Sequence, residues 1–396
     1  EEERGYIQKL RELIPGVKLE LTTHQPGTLA ELHLIVKMAR ASGCFVTVPE
    51  VARLAVPDAP KFTQDDFAGS CVQHNGIDYL VMNDLSQIVK TTTGRHLAAR
   101  YLSKLTSPEA WPLVPEFRYE LCSDPDKAKA ALEFLSSADF IAYDIETVKQ
   151  HLFFDVISFT GVFLAKRNDP EGKFKYSTRT YAFPHSDEVM QVLIQKVLEL
   201  PIPKITQNGK YDNAYLLRWG MPPSHWYYDT AHFFHSWYAE MPKRLDFITI
   251  YSLRDVSFWK DEGSGSFENR AKYCGRDSWA TACTMMTFLE RAPQWAFRNY
   301  IDEFKTAVAC VLPEHTGLCI DREAEGKLRE YNVKIAEKAR RDIAESVGAP
   351  NFNPGSWQQV LKLIHALGST DINSTGPAFM DRFSVRHPLN QWFAES

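Results

Sequence analysis

The sequence lacks the long apolar runs and the cysteine motifs that several classes of protein require. No stretch of its 396 residues approaches the ~20 consecutive apolar residues of a membrane-spanning helix. The N-terminal segment EEERGYIQKLREL is charged and contains no apolar signal-peptide core. The seven cysteines are scattered, and no two are spaced as CxxC. We therefore expect a cytoplasmic protein with reduced cysteines, no zinc site and no membrane partner.

Motifs of several common enzyme classes are also missing. The chain contains no HExxH and no GxSxG, and its GSGS segment at 263–266 lacks the GxxxxGK(S/T) pattern of a phosphate-binding loop. The net charge of −5 neither favours nor excludes a nucleic-acid partner. An acidic protein can still bind phosphates through local lysines and arginines.

Changes in pattern divide the chain into three segments. Residues 1–115 form a small α/β extension whose role the sequence does not indicate, and the proline-rich stretch TSPEAWPLVPEF predicts a linker at its end. Residues 116–293 alternate strands and helices, which predicts an α/β domain with a mixed sheet flanked by helices. Residues 294–396 are mostly helical. A chain of this length commonly contains two or three domains.

One basic stretch in the first segment allows two interpretations. Arg95, His96, Arg100 and Lys104 fall within ten residues and could bind phosphate groups. The simpler interpretation is a solvated helix face on a structural extension, and we favour it.

Two pairs of polar residues in the second segment have spacings that place each pair on one face. Asp144 and Glu146 end the apolar run DFIAYDIET two residues apart, so on a strand they share one side of the sheet. Tyr273 and Asp277 lie four residues apart in a helical pattern at about 268–291, so they point the same way.

A third pair, Asn208 and Asp212, begins a predicted helix after a short strand. Asp212 would bring the number of carboxylates in a shared pocket to four. Their mutual repulsion would raise their pKa values unless cations neutralised them. Oxygen ligands without histidine or cysteine favour two Mg²⁺ or Mn²⁺ ions, which can catalyse phosphoryl transfer to water.

The ordered set Asp-x-Glu, Asn-x-x-x-Asp and Tyr-x-x-x-Asp resembles the three motifs of the DEDD superfamily of 3′→5′ exonucleases, which have a ribonuclease H-like (DnaQ-like) fold. The tyrosine subclass matches, because Lys272 stands where the histidine subclass has its histidine. The resemblance implies that Asp144, Glu146 and Asp277 hold the metal that activates water. It also implies that Asp144 contacts a second metal, which Asp212 supports through water.

The same resemblance implies roles for three further groups. Tyr273 would position the attacking water, while Asn208 and the backbone of Thr147 would help to hold the terminal nucleotide. Asp229, in YYDT, matches an acidic position of the family near the site.

Flanking segments resemble the proofreading domain and the start of the thumb of family A DNA polymerases, of the phage type. They are FRYELC at 117–122, FWKDEG at 258–263, EHTGLCID at 314–321, FNPGSWQQVLKLI at 352–364 and RHPL at 386–389. The implied partners are a single-stranded 3′ end of DNA, a primer–template duplex, and the palm and fingers of the polymerase. The implied compartment is the cytoplasm of a bacterial or phage-infected cell.

Polymerase activity itself is not expected of this chain. The segment DLSQI at 84–88 imitates a family A palm motif, but it precedes the exonuclease motifs and has no companion motifs. Two alternatives to a proofreading exonuclease remain: an RNase D-like exoribonuclease with the same four carboxylates, and a non-catalytic DNA-binding clamp built on the exonuclease fold.

Overall fold

The computed structural model describes residues 26–373, apart from 40, 42, 48, 56–67, 83–90, 149–152, 166–174, 257, 261–264 and 372. The chain divides into two compact units, Glu1–Thr316 and Gly317–Ser396. The predicted domain boundaries at 115 and 293 stay predictions. DLSQI and RHPL lie outside the described residues. No helix among the described residues is long and apolar enough to cross a membrane.

The first unit contains two sheets and ten α-helices among its described residues. Its helices are α1 (Leu29–Met38), α2 (Pro49–Ala55), α3 (Thr92–Thr106), α4 (Pro125–Leu135), α5 (Glu188–Glu199), α6 (Lys210–Arg218), α7 (Thr230–Trp237), α8 (Leu245–Ser252), α9 (Phe267–Arg291) and α10 (Gln294–Thr316). Its strands are β1 (Gly43–Val46), β2 (Cys71–His74), β3 (Ile77–Val81), β4 (Tyr119–Leu121), β5 (Phe140–Val148), β6 (Phe153–Leu164), β7 (Tyr176–Pro184), β8 (Lys204–Thr206) and β9 (Trp226–Asp229).

Short polar side chains begin many of these helices. Each accepts a hydrogen bond from a backbone N–H of the first turn, which satisfies donors that the helix itself cannot pair. In the first unit these residues are Thr28, Thr91, Asp124, Asp187, Asp229 and Ser266. The helix boundaries are therefore encoded locally.

The N-terminal extension contains a three-stranded sheet in the order β1-β3-β2. β1 runs parallel to β3, and β2 forms an antiparallel hairpin with β3. Asn75 and Gly76 turn this hairpin with φ values of 50° and 78°, as a two-residue turn of the primed type requires. The buried side chains of this sheet pack with α1 and α2, and with Phe258 from much later in the chain.

The second half of the basic stretch on α3 lies against the rest of the first unit, whereas Arg95 and His96 are exposed. Lys104 is fully buried, and its Nζ donates hydrogen bonds to the carbonyl oxygens of Gly69 at 2.8 Å and Ile250 at 2.6 Å. Arg100 donates to the carbonyl oxygen of Tyr251 at 3.2 Å. Lys104 therefore fits neither the phosphate-binding nor the solvated-face interpretation, because its ammonium group joins the extension to α8.

The second sheet has six strands in the order β4-β7-β6-β5-β8-β9. β6 is antiparallel to both β5 and β7, whereas β8 and β9 continue from β5 in parallel. The order of the five strands β7-β6-β5-β8-β9, in which β6 runs opposite to the others, is that of the ribonuclease H-like fold. α4 and α5 pack on one face of the sheet, and α9 crosses the other face along β5, β6 and β7. The predicted mixed α/β domain is confirmed.

The described part of the second unit is helical, as predicted. It contains α11 (Arg322–Ser346) and α12 (Trp357–Ala366). Asp321 and Ser356 accept hydrogen bonds at the starts of these two helices. Gly348 follows α11 with a φ of 66°, a conformation that favours glycine at a helix end.

Candidate active site

Alternation along β5 points two carboxylates away from the main core. Tyr143 and Ile145 are buried in the core beneath α4 and α5. Because successive strand residues face opposite sides, Asp144 and Glu146 face the side that α9 covers. Both are half-buried. The first predicted pair thus shares one face of the sheet.

α9 brings its residues unusually close to the sheet. Gly275 permits this approach, since a Cβ there would lie 2.8 Å from the ring of Tyr119. The Cys274 thiol beside it donates to the carbonyl oxygen of Asp144 at 3.2 Å. Ligand atoms of Asp144, Glu146 and Cys274 all lie within 4.8 Å of one another. The sequence motifs do not predict a thiol in the site. Only the position of Cys274 next to Tyr273 in the sequence indicates that its side chain could lie there.

Asp212 reaches the same region from the first turn of α6. Its Oδ1 accepts a hydrogen bond from the backbone N–H of Ile145 at 3.2 Å, and its side chain is buried. The turn before α6 requires Gly209, where a Cβ would collide with Thr206. The turn therefore places Asp212 next to β5, the strand that carries Asp144.

The carboxylates repel one another in this buried setting. Burial raises the pKa of Asp144 well above its usual range, and repulsion from Asp277 and Asp212 raises it further. Burial and the charge of Asp277 raise the pKa of Glu146 to about 8. Burial raises the pKa of Asp212 to about 7, against the hydrogen bonds that it accepts from backbone N–H groups. These groups retain protons near neutral pH unless positive charge is added.

Lys260 supplies part of that charge and was missed by the sequence analysis. Its Nζ donates to Oδ2 of Asp277 at 2.6 Å and to the hydroxyl of Tyr273 at 2.8 Å. The Nε1 of Trp259 donates to the other oxygen of Asp277 at 2.5 Å. Burial acts to lower the pKa of Lys260, but Asp277 and Tyr273 outweigh it and the pKa is raised. Lys260 is therefore a permanent cation in the site.

The donor set suits hard divalent cations. Four carboxylates from β5, α6 and α9 offer oxygen ligands, and Lys260 offsets one negative charge. The raised pKa values show that further positive charge would be favourable here. Small cations that prefer oxygen ligands, such as Mg²⁺ and Mn²⁺, fit this chemistry. The Cys274 thiol suits these cations poorly, because sulfur is a soft ligand, and it donates its proton to the carbonyl oxygen of Asp144.

Several solved structures share similarity with the chain at low sequence identity. The POL domain of Pol1 from M. smegmatis, in complex with DNA primer-template and dNTP, has a TM-score of 0.48 and 14% identity over 69% of this chain and 47% of that one. RNase D of Escherichia coli has a TM-score of 0.31 and 17% identity over 48% and 50%. NrnC of Brucella melitensis with bound Mg²⁺ has a TM-score of 0.31 and 17% identity over 52% and 91%.

No protein-family model and no curated protein matches the chain. The chain spans about half the length of the first two solved structures, 47% and 50%. These matches do not assign it to a family. The fold assignment rests on the strand order of the six-stranded sheet.

The two predicted substrate-binding residues flank the candidate site residues along the chain. Thr147 follows Glu146 on β5 and shares a hydrogen bond of 3.1 Å with the hydroxyl of Tyr211. Asn208 is exposed, with a φ of 55°, in the turn before α6. Left-handed backbone is tolerated best by glycine and asparagine, so the residue type suits the turn. The roles of both residues in holding a nucleotide stay predictions.

Asp229 is a structural carboxylate beside the site. It is fully buried and ends β9. It accepts hydrogen bonds from five donors, namely Oγ1 of Thr206 and the backbone N–H groups of Asn208, Gly209, Ala231 and His232. Asp229 therefore holds the turn before α6, which in turn places Asp212.

Proposed function

We propose that the chain is a metal-dependent 3′→5′ exonuclease that acts on DNA, as the proofreading part of a family A DNA polymerase. The observation that carries this proposal is the convergence of four carboxylates from one strand and two helices beside a tyrosine hydroxyl. Asp144 and Glu146 lie together on β5, and Asp212 accepts a hydrogen bond from the backbone of the same strand. On α9, Lys260 donates hydrogen bonds to both Asp277 and Tyr273, and the charge of Asp277 acts on Asp144.

The proposed reaction is hydrolysis of the 3′-terminal phosphodiester, which releases a nucleoside 5′-monophosphate. Asp144, Glu146 and Asp277 would hold one ion, and Asp144 would contact a second, which Asp212 would support through water. When bound, two Mg²⁺ ions would supply Lewis-acid stabilisation of the attacking and leaving oxygens. The chain's own part is to hold the phosphate end and the water in line.

Tyr273 would orient the water without taking its proton. Burial and the nearby charge of Asp277 raise the pKa of Tyr273, so the side chain remains a neutral phenol. Lys260 donates to its oxygen at 2.8 Å, which fixes the hydroxyl in one orientation. A neutral hydroxyl in a fixed position can hydrogen-bond a water molecule and aim it.

Proofreading would follow from the free-energy cost of unpairing a 3′ end. A mismatched 3′ end unpairs at lower cost than a matched end and therefore enters a single-strand site more often. The support for a DNA substrate is the resemblance of the flanking segments to a polymerase, since the four carboxylates alone suit an exoribonuclease equally well.

The decisive experiment removes the β5 carboxylates. We expect the double variant Asp144→Ala with Glu146→Ala to degrade a 3′-labelled single DNA strand in Mg²⁺ about 10³-fold more slowly than the unaltered chain, because it loses transition-state charge stabilisation. The matched control is Asp126→Ala with Glu133→Ala, two exposed carboxylates on α4, which should degrade DNA normally.

Three outcomes would count against parts of the proposal. Unchanged degradation by the double variant would refute the site assignment. Faster degradation of a matched RNA end than of a DNA end would favour the exoribonuclease. A chain that binds DNA but degrades nothing with Mg²⁺ or Mn²⁺ would be a non-catalytic clamp.

A further inference from the structure

Three consecutive residues join three different parts of the first unit. Phe258 is 3% exposed and belongs to the core of the N-terminal sheet, together with Leu32 and Tyr79. Its neighbour Trp259 is fully buried in a second core, which contains residues of α8 and α9 and also Leu80 and Tyr101 of the extension. Lys260 reaches the candidate active site. One stretch of backbone thus runs from the core of the N-terminal sheet to the candidate active site.

Trp259 and Lys260 together control the orientation of one candidate metal ligand. They donate hydrogen bonds to the two oxygens of Asp277 at 2.5 and 2.6 Å, so that each oxygen has its own donor. Lys260 also donates to the hydroxyl of Tyr273. A shift of these two side chains would therefore rotate or release both groups on α9 at once.

The extension is seated firmly just before this stretch. Arg254 forms an ion pair with Asp78 of β3 and donates to the carbonyl oxygen of Lys104 at 2.9 Å. Lys104 in turn donates to the carbonyl oxygen of Ile250. The chain thus leaves α8 already attached to the extension, and Phe258 attaches it a second time.

We propose that the N-terminal extension is a positioning domain for the exonuclease site, and that Phe258 is the positioning residue through which it acts. The inference rests on the proposed function. By anchoring Phe258, the extension fixes Trp259 and Lys260, and through them Asp277 and Tyr273. Close-packed interiors transmit small displacements. A misplacement of about 1 Å in a catalytic group can cost about 10²-fold in rate.

The test compares two truncations of the same core. Phe258→Ala and Leu32→Ala both remove a buried side chain from the N-terminal sheet, but only Phe258 adjoins Trp259. We expect Phe258→Ala to lower kcat about 10- to 100-fold with KM nearly unchanged, the signature of misplaced groups. Leu32→Ala should lower the thermal midpoint comparably and leave kcat within about twofold at a temperature where both variants are folded. Phe258→Leu should restore most of kcat, because it refills the core.

A second readout needs neither metal nor activity. With ¹⁵N-labelled tryptophan, the indole N–H signal of Trp259, assigned through Trp259→Phe, reports its hydrogen bond to Asp277. We expect this proton to exchange with water faster in Phe258→Ala and at the normal rate in Leu32→Ala. This comparison tests the positioning even if the unaltered chain degrades no nucleic acid, and so separates this inference from the proposed function.

Two results would overturn the inference. Equal losses of kcat in Phe258→Ala and Leu32→Ala would mean that the extension acts only through overall stability. An unaltered indole signal with unaltered kcat in Phe258→Ala would mean that Trp259 keeps its position without the anchor.

Discussion

Asp229 and the four site carboxylates, which lie on or beside the six-stranded sheet, meet the cost of burial in opposite ways. Asp229 at the end of β9 is surrounded by N–H and O–H donors that satisfy both of its oxygens. Asp144 on β5 instead faces other carboxylates, which raise its pKa together with burial. The fold itself satisfies the charge of Asp229 with hydrogen bonds, whereas the site carboxylates need added positive charge to be stable in the ionised form.

The difference separates a structural carboxylate from a functional one. A buried acid that is fully hydrogen-bonded stabilises the backbone around it, as buried polar groups usually do. A group of buried acids with raised pKa values stores unfavourable energy that a ligand can relieve, which is typical of functional sites. Lys260 supplies one positive charge to the four carboxylates. The remaining negative charge is available to bind a cation.

The largest effect on stability should come from the structural carboxylate. Asp229→Ala leaves the buried N–H of Gly209 and neighbouring donors without an acceptor, at about 1–3 kcal/mol for each group. We therefore expect the free energy of unfolding to fall by about 3 kcal/mol or more in urea titrations. Asp144→Ala should cost much less or even stabilise the metal-free protein, since it removes repulsion. A larger loss in the free energy of unfolding for Asp144→Ala than for Asp229→Ala would refute this distinction between a structural and a functional carboxylate.

A smaller effect, on catalysis alone, is expected from Tyr273→Phe. The change removes the hydroxyl that Lys260 holds and that would aim the water. We expect DNA degradation to slow by about 10- to 100-fold, which is typical for loss of a side chain that orients the groups around a metal. Binding of Mn²⁺, measured by calorimetry, should stay largely intact because no carboxylate is lost. Loss of Mn²⁺ affinity would assign Tyr273 a different role.

A third expected effect concerns the pH dependence of stability without metal. The pKa of Glu146 is about 8 in the folded chain against 4.5 ordinarily, so the folded state binds its proton more tightly. That contribution is present at low pH and is lost as the pH rises through about 8. In EDTA the thermal midpoint should therefore fall between about pH 5 and about pH 9, by ~2–4 °C for each ~1 kcal/mol.

Glu146→Gln provides the control for this measurement. Its fall in thermal midpoint should be smaller, because a neutral amide has no proton to lose. Mg²⁺ should also reduce the fall in the unaltered chain by replacing the protons with a cation. Identical pH profiles for the variant and the unaltered chain would show that Glu146 is not buried against like charge.

The parts of the site formed by residues that are close in sequence could be predicted, because strand and helix periodicity place them on one face. Alternation on a strand placed Asp144 and Glu146 on one face, and helical spacing placed Tyr273 and Asp277 on one side of a helix predicted at about 268–291 and found at Phe267–Arg291. The α/β class followed from the same local periodicities.

The parts that depend on distant contacts could not be predicted. Trp259 and Lys260 approach Asp277 only after the chain has folded, and neither has a spacing relation to it. Phe258 looks like any apolar residue in the sequence, and its place in the N-terminal core comes from tertiary packing. The burial of Lys104 is a similar case, because a basic helix stretch usually predicts a solvated face.

The close approach at Gly275 has a consequence for how such chains are compared. A methyl group there would lie 2.8 Å from the ring of Tyr119 and 3.2 Å from Thr180 of the sheet, so either these side chains or α9, with Tyr273 and Asp277, would have to move. A chain could therefore keep every carboxylate of the three motifs and yet have them too far apart to share a cation. Whether a homologue is a working enzyme or an inactive relative must be judged from this small residue as well as from the acidic ones.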